Sequence, residues 1–294
     1  MAYLTLLRPK DWAKNLFLFI PLFFAGDLLD AVKLTLLSLG FFAFSFVASS
    51  IYIINDYRDR EEDKKHPVKC KRPLASGEVS PKKALTICTM LLLAGSSIAW
   101  ALNRDFAIVL AAYFLLNLGY SFGLKNISIL DIFILALGFV LRIKSGSIIS
   151  QVPLSEWIII MVLLLSIFMA IGKRRDDLIL KIRSGSDMRK SVKSYNLEFL
   201  NTMLAIVAAV IIVAYLMYTL SPEVITRLQT YRLYYTTIFV IAGLMRYLQI
   251  IYVTADAGSP TNILYKDRFL QITLLLWIVS FASILYFKDA PFFK

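Results

Sequence analysis

Long apolar runs broken by short polar stretches decide what this chain can fold into. A bilayer core of about 30 Å takes about 20 apolar residues per helix. In lipid every backbone polar group has to be satisfied within its own segment, which for such runs means α-helix. On that ruler nine spans are expected, at 15–31, 33–54, 83–102, 105–123, 127–149, 155–172, 198–220, 233–253 and 268–288. Composition excludes a large soluble core as the alternative. The 294 residues are 59% hydrophobic and only 18% charged, with a mean hydropathy of +0.69, outside the balance of soluble domains. Connections as short as Asn103–Arg104 make neighbouring spans antiparallel. The expected fold is an all-α integral membrane protein, a single domain over 1–294 built as a bundle of nine transmembrane helices.

The net charge of +12 would suggest nucleic acid in a soluble protein. Here the basic residues sit in short segments between spans, the pattern of the positive-inside rule, so a nucleic-acid partner is excluded. With sides taken alternately, Lys and Arg number 23 on the side of the N-terminus and 6 on the other. The N-terminus is therefore expected in the cytoplasm and the C-terminus outside. The charged loops at about 55–82 and 173–197 then share the cytoplasmic face, where the active site is expected. Met1 to Trp12 is polar and basic and leads into a multi-span pattern, so no cleavable signal is expected. Cys70 and Cys88 are too few and too differently placed for a disulfide framework, and with His66 as the single histidine zinc chemistry is a poor fit.

In the first charged loop the second span is expected to continue as helix, because Asn55, Asp59 and Asp63 recur at i, i+4 and i+8. They drift only about 40° per step and line one stripe. Hard oxygen ligands in that pattern suit Mg²⁺ held against a diphosphate, with Asp59 and Asp63 as the catalytic candidates. A solvated helix end neutralised by Arg58, Arg60, Lys64 and Lys65 is the other reading. A run of acids facing an anionic leaflet argues for a bound ligand. Downstream, Lys69, Lys71, Arg72 and Pro73 form a basic turn able to fold back over that diphosphate, Arg72 donating bidentately.

Further phosphate-binding candidates are Lys14, Tyr120, Lys125 and Arg142. Tyr120 also fits an interfacial aromatic belt. Asp131, Arg142 and Lys144 are ionisable groups within a span, which usually face a polar cavity. Arg142 is the leading intramembrane candidate, and Asp131 lies too far along the same helix for a direct bridge to it. Arg246 in the eighth span fits a structural pair with an acid of another helix. The second charged loop carries Lys173, Arg174 and Arg175, then Asp176 and Asp177, and later Arg189 and Lys190. It fits either an anchor for anionic headgroups or the grip on a second phosphorylated substrate.

These residues resemble the UbiA prenyltransferase superfamily, whose first motif, NDxxDxxxD, is matched by Asn55, Asp56, Asp59 and Asp63. Within it the chain is most similar to the polyprenyl-phosphate (decaprenyl-phosphate) phosphoribosyltransferase branch. The similarity runs through RPKDWAKN, NDYRDREEDKKHPVKCKRPLASG, YSFGLKN, GKRRDDL, RKSVKSYNLEFL and YKDRFLQ, over nearly the whole length. The resemblance implies an Mg²⁺-dependent transferase of a bacterial inner membrane. It would move 5-phosphoribose from 5-phosphoribosyl 1-diphosphate to a polyprenyl phosphate and release diphosphate, as a step toward cell-envelope precursors. Asn55, Asp59 and Asp63 would position Mg²⁺. The wider superfamily usually carries a second acidic motif where this chain has Lys173, Arg174 and Arg175. Cations there suit a metal-free phosphate, and Asp176 with Asp177 leaves a second metal or a ribose contact open. Two alternatives remain. One is a prenyltransferase moving an isoprenoid from its diphosphate to an aromatic or polar acceptor. The other is a transporter or lipid scaffold, which the lack of an internal repeat disfavours. The oligomeric state is left open, a homo-oligomer included.

Overall fold

A computed structural model describes residues 2–64, 69–184, 194–254 and 260–286. All regular structure among the described residues is helical. The helices are α1 (Ala2–Leu7), α2 (Ile20–Ala25), α3 (Ala31–Lys64), α4 (Pro81–Leu102), α5 (Arg104–Ser121), α6 (Leu130–Ser150), α7 (Glu156–Ser184), α8 (Leu197–Leu220), α9 (Pro222–Leu228), α10 (Thr237–Gln249), α11 (Pro260–Lys266) and α12 (Arg268–Tyr286). A 3-10 stretch, Pro9–Phe19, precedes α2, another, Arg232–Thr236, leads into α10, and a π-helical turn, Ile250–Thr254, extends it.

Among the described residues seven helical segments are long and apolar enough to cross a bilayer, where nine were expected from the sequence. The two that fall outside this set have physical causes. Residues 15–31 do not make one helix. Pro9 and Pro21 each open a new segment, and Gly26 closes the second at φ 80, so the stretch becomes 3-10 followed by six α-helical residues. The other is α5, only 18 residues long, with Arg104, Asp105 and Asn117 diluting its apolar run. In the opposite sense, the helix of the second expected span runs on to Lys64, as the carboxylate spacing implied. The second charged loop is shorter than expected, because α7 continues to Ser184.

Capping sets several ends. Asn103 closes α4 and opens α5, its Oδ1 accepting from the N–H groups of Asp105 at 2.7 Å and Phe106 at 3.1 Å. Asn196 caps α8 in the same way through Phe199 N–H, 2.7 Å.

The chain forms two compact units, 1–125 with 138–154, and 126–137 with 155–294. In the first, α3 packs along α4, and Gly95 permits the approach: a Cβ there would sit 2.8 Å from the Ala43 carbonyl oxygen. Gly146 of α6 does the same for the 3-10 stretch, where a side chain would collide with the Leu18 backbone. The core of this unit gathers Leu18, Phe44, Val47, Phe106, Tyr113 and Ile149. A smaller cluster of Leu6, Ile53, Leu74, Val79 and Cys88 pins the segment after α3 onto that helix. In the second unit, α7 packs on α8 around Phe168, Leu200, Leu204, Ile211 and Tyr247. Apolar side chains also face outward: Met90, Leu93 and Trp100 of α4 are each 64% exposed. On a helix 22 residues long, such a surface belongs in lipid.

Candidate active site

The first unit concentrates its charge at the polar end of α3. Asp56 is 2% exposed and accepts from Arg8 Nη2 on both carboxylate oxygens, at 2.5 and 2.7 Å. Arg72 Nη1 bridges Asp56 Oδ1 at 3.0 Å and Asp63 Oδ2 at 2.6 Å. Asp59 receives the Lys125 ammonium at 2.9 Å on each oxygen and Asn55 Nδ2 at 3.1 Å. Three carboxylates thus meet three cations, so the charges of the cluster balance.

Local folding explains how Arg72 arrives. Lys69–Lys71 makes a 3-10 turn, Arg72 N–H donates to Lys69 O and Ser76 N–H to Arg72 O. Leu74 and Val79 are buried against Ile53, which draws the basic turn back over the helix. Lys125 comes from the far end of α5, just past Gly123, whose φ of 140 turns the chain. Beside it Arg58 donates to the Ser121 carbonyl and lies 4.2 Å over the Phe122 ring. Tyr120 is half-buried on the same helix end. Lys14 pairs with Asp11 at 2.6 Å, next to the Tyr52 ring.

Arg142 is 5% exposed in the same unit. Its donors reach Asn15 Oδ1 (2.9 Å), the Gly138 carbonyl (2.9 Å) and Tyr113 Oη (2.8 Å), and the rings of Phe44, Tyr113 and Phe139 surround it at 4.8 to 5.2 Å. No carboxylate pairs with it among the described residues. A buried guanidinium with only neutral partners is costly and attracts an anion.

The second unit has its own charged network. Asp131 and Arg174 are both 0% exposed and joined at 2.5 Å, and Arg174 also reaches Asp177 at 2.9 Å. Tyr195 donates to the other Asp131 oxygen at 2.9 Å and accepts from Ile129 N–H at 2.5 Å. Ile129 holds φ 70, a strained value for a β-branched residue, which that bond helps to maintain. Burial pushes the Tyr195 phenol up to about 12, so it stays a donor. Arg174 is therefore interior, while Lys173 is exposed and Asp176 half-buried. Arg189 and Lys190 lie outside the described residues. Arg246 pairs with Asp267 at 2.8 Å.

Among the described residues no three His, Cys, Asp or Glu side chains form a metal-holding group. The donor set at the end of α3 still fits Mg²⁺. That ion takes oxygen ligands, often one or two from protein carboxylates with the rest from water and substrate phosphate. Asn55 and Asp59 carry such oxygens on adjacent side chains, Asn55 Nδ2 donating to Asp59 Oδ2 at 3.1 Å, and Asp59 is the most open of the three acids, 25% exposed against 3 to 4% for the others.

Residues 16–195 match the UbiA prenyltransferase family. The chain belongs to the UbiA prenyltransferase family. Among UbiA-family relatives it is 36% identical over 290 residues to a decaprenyl-phosphate phosphoribosyltransferase of Mycolicibacterium smegmatis, covering 96% of this chain and 91% of that one. A protein of the same description from Corynebacterium glutamicum is 32% identical over 286 residues, 95% and 85% of the two chains. A UbiA homologue from Archaeoglobus fulgidus, solved with GPP and Mg²⁺, shares the UbiA fold, with a TM-score of 0.73, 22% identity and coverage of 97% and 99%.

Two members of the charged cluster, Arg8 and Asp56, were given no site role from the sequence, although Asp56 is the second position of NDxxDxxxD and Arg8 opens RPKDWAKN. Asp56 falls off the i, i+4 stripe when read from Asn55. It stands seven residues before Asp63, nearly two full turns, so the pair shares a face, and that spacing was the available signal. For Arg8 the signal was its place at the head of RPKDWAKN, but that run does not name its partner, which lies 48 residues away.

Proposed function

We propose that this chain transfers 5-phosphoribose from 5-phosphoribosyl 1-diphosphate to a polyprenyl phosphate. The observation that carries the reading is the 36% identity to a decaprenyl-phosphate phosphoribosyltransferase over 96% of the chain. The reaction is a transferase step. A lipid phosphate oxygen bonds to the anomeric carbon, the bond from that carbon to diphosphate breaks, and diphosphate leaves with the electron pair. A phosphate oxygen is already anionic at neutral pH, so no general base is required.

Mg²⁺, when bound, neutralises charge on the leaving diphosphate. Asn55, Asp59 and Asp63 are the residues to hold it. Lys125 and Arg72 are placed to exchange a carboxylate for a substrate phosphate, Arg72 as a fork and Lys125 as a point charge. Arg8 holds both oxygens of Asp56 and so fixes the carboxylate that keeps Arg72 in reach. Arg142, Lys14 and Tyr120 are further phosphate contacts of this unit, and Lys173 with Arg189 and Lys190 serves the second charged segment. Arg174 acts by holding Asp131 and Asp177 in place. By the bias of basic residues, this end of the helices faces the cytoplasm of a bacterial inner membrane.

The test is transfer of label from ribose-labelled phosphoribosyl diphosphate into lipid by membranes containing the protein. Labelled lipid that requires both added polyprenyl phosphate and Mg²⁺ is expected. Turnover of a prenyl diphosphate, with no label entering lipid, would replace this reading with that of a prenyltransferase.

A further inference from the structure

Within the second unit, an open, shallow cavity of about 320 Å³ is lined by Arg175, Asn201, Thr202 and Tyr252. Three segments meet there: the charged end of α7, the second turn of α8 and the π-helical turn after α10. Arg175 is 8% exposed, and no carboxylate is among the lining residues. One donor, Nε, is committed to Asn201 Oδ1 at 2.7 Å, and the guanidinium lies 5.5 Å over the Tyr252 ring. Tyr252 in turn donates from its hydroxyl to the Asn201 carbonyl at 2.8 Å, which fixes both partners. The plane of the guanidinium is thereby set, and its two terminal nitrogens make no hydrogen bond or ion pair among the described residues.

A largely buried, oriented fork whose terminal nitrogens hold no carboxylate, Asp176 acting on it only at a distance, is suited to a planar or tetrahedral oxyanion taken bidentately. Thr202, exposed at the mouth, adds a hydroxyl. The volume lies at the small end of ligand pockets, about 300 to 1,000 Å³, so it accommodates a head group and not a lipid chain. We infer that the Arg175 cavity binds the phosphomonoester end of a substrate. This rests on the proposed reaction, in which each substrate carries one such end: the lipid phosphate of the acceptor or the 5-phosphate of the ribosyl donor. Arg175 supplies the fork, and Asn201 and Tyr252 are positioning residues.

The experiment is equilibrium binding of ribose 5-phosphate and, separately, of farnesyl phosphate to the full-length protein in detergent, with no turnover read. Wild type is compared with Arg175→Ala and with Thr202→Phe, which fills the mouth while leaving the guanidinium and its bonds intact. A loss of affinity of about tenfold or more for one phosphomonoester in both variants is expected, with unchanged thermal unfolding of Thr202→Phe. Loss for ribose 5-phosphate assigns the cavity to the donor, and loss for farnesyl phosphate to the acceptor. Wild-type affinity for both compounds in Thr202→Phe, or no binding of either to the wild type, overturns the assignment. If binding responds as expected but no phosphoribosyl transfer is found, the cavity stands and the reaction falls. Transfer with unaltered binding has the opposite meaning.

Discussion

Asp59 and Arg174 were both legible as charged residues at a membrane surface, and their environments separate their roles. Asp59 keeps a quarter of its side chain exposed and pairs with a single lysine, Lys125. Replacing it with Asn should lower turnover by at least about 100-fold, the scale of losing a preorganised electrostatic partner, with little change in thermal unfolding. Full Mg²⁺-dependent activity in Asp59→Asn would remove the residue from the metal site. Arg174 is sealed between Asp131 and Asp177. Arg174→Ala leaves Asp131 buried and unpaired, so a loss of about 3 to 5 kcal/mol in stability is expected, largely recovered by the double change Arg174→Met with Asp131→Leu. Weakened substrate binding without any loss of stability would contradict that structural role. Arg142 is the third case: a buried cation held by neutral groups. Arg142→Met retains the volume and sheds an uncompensated charge, so turnover should fall by about 100-fold or more while stability drops by no more than about 2 kcal/mol. Unfolding at ordinary temperature with normal specific activity of the folded fraction would make it structural instead. Sequence could not separate these residues, because burial and partner identity arise only when segments distant in the chain meet.

At the scale of elements, period and length served well where one helix followed its own apolar run, as in α4 and α8. They failed where proline and glycine cut a run, as at Pro9, Pro21 and Gly26, and where helix propensity outlasted hydrophobicity, as at the end of α7. The start of α12 gives a quantitative check on one end. Asp267 Oδ1 accepts from Leu270 N–H at 2.9 Å as an N-cap, and its carboxylate also meets Arg246. The Arg246 hydrogen bond holds the Asp267 carboxyl below its ordinary value. Its contribution is thus present above about pH 4 and is lost as pH falls through the lowered folded value. Asp267→Asn keeps a capping oxygen and deletes the charge, so it should cost about 1 kcal/mol or less at neutral pH, and the difference should vanish in acid. Asp267→Ala also loses the cap and should cost about 1 kcal/mol more at any pH. Thermal unfolding of the three proteins at pH 7 and below pH 3 reads both terms. Equal stability of the Asn and Ala proteins would show that the cap is not used.

For the molecule as a whole, the sequence was informative about class and chemistry and less so about architecture. Apolar runs identified the solvent as lipid, and the stripe from Asn55 to Asp63 located a carboxylate cluster. The identity of its cations was legible for Arg72 and Lys125, which stand beside recognisable turns. It was not legible for Arg8, whose contact with Asp56 depends on how the N-terminal segment packs on α3. The Arg175 cavity was likewise beyond reach, since its lining comes from residues 175, 201, 202 and 252.

The group transferred, phosphoribosyl or prenyl, separates the two possible reactions. Purified protein incubated with Mg²⁺, 5-phosphoribosyl 1-diphosphate and decaprenyl phosphate, with the extracted lipid read by mass spectrometry, tests it directly. The expected product is decaprenyl phosphate heavier by one phosphoribosyl group, absent when Mg²⁺ is chelated and absent in Asp59→Asn. Unmodified lipid from the wild-type protein, under conditions where it consumes a prenyl diphosphate, would contradict phosphoribosyl transfer.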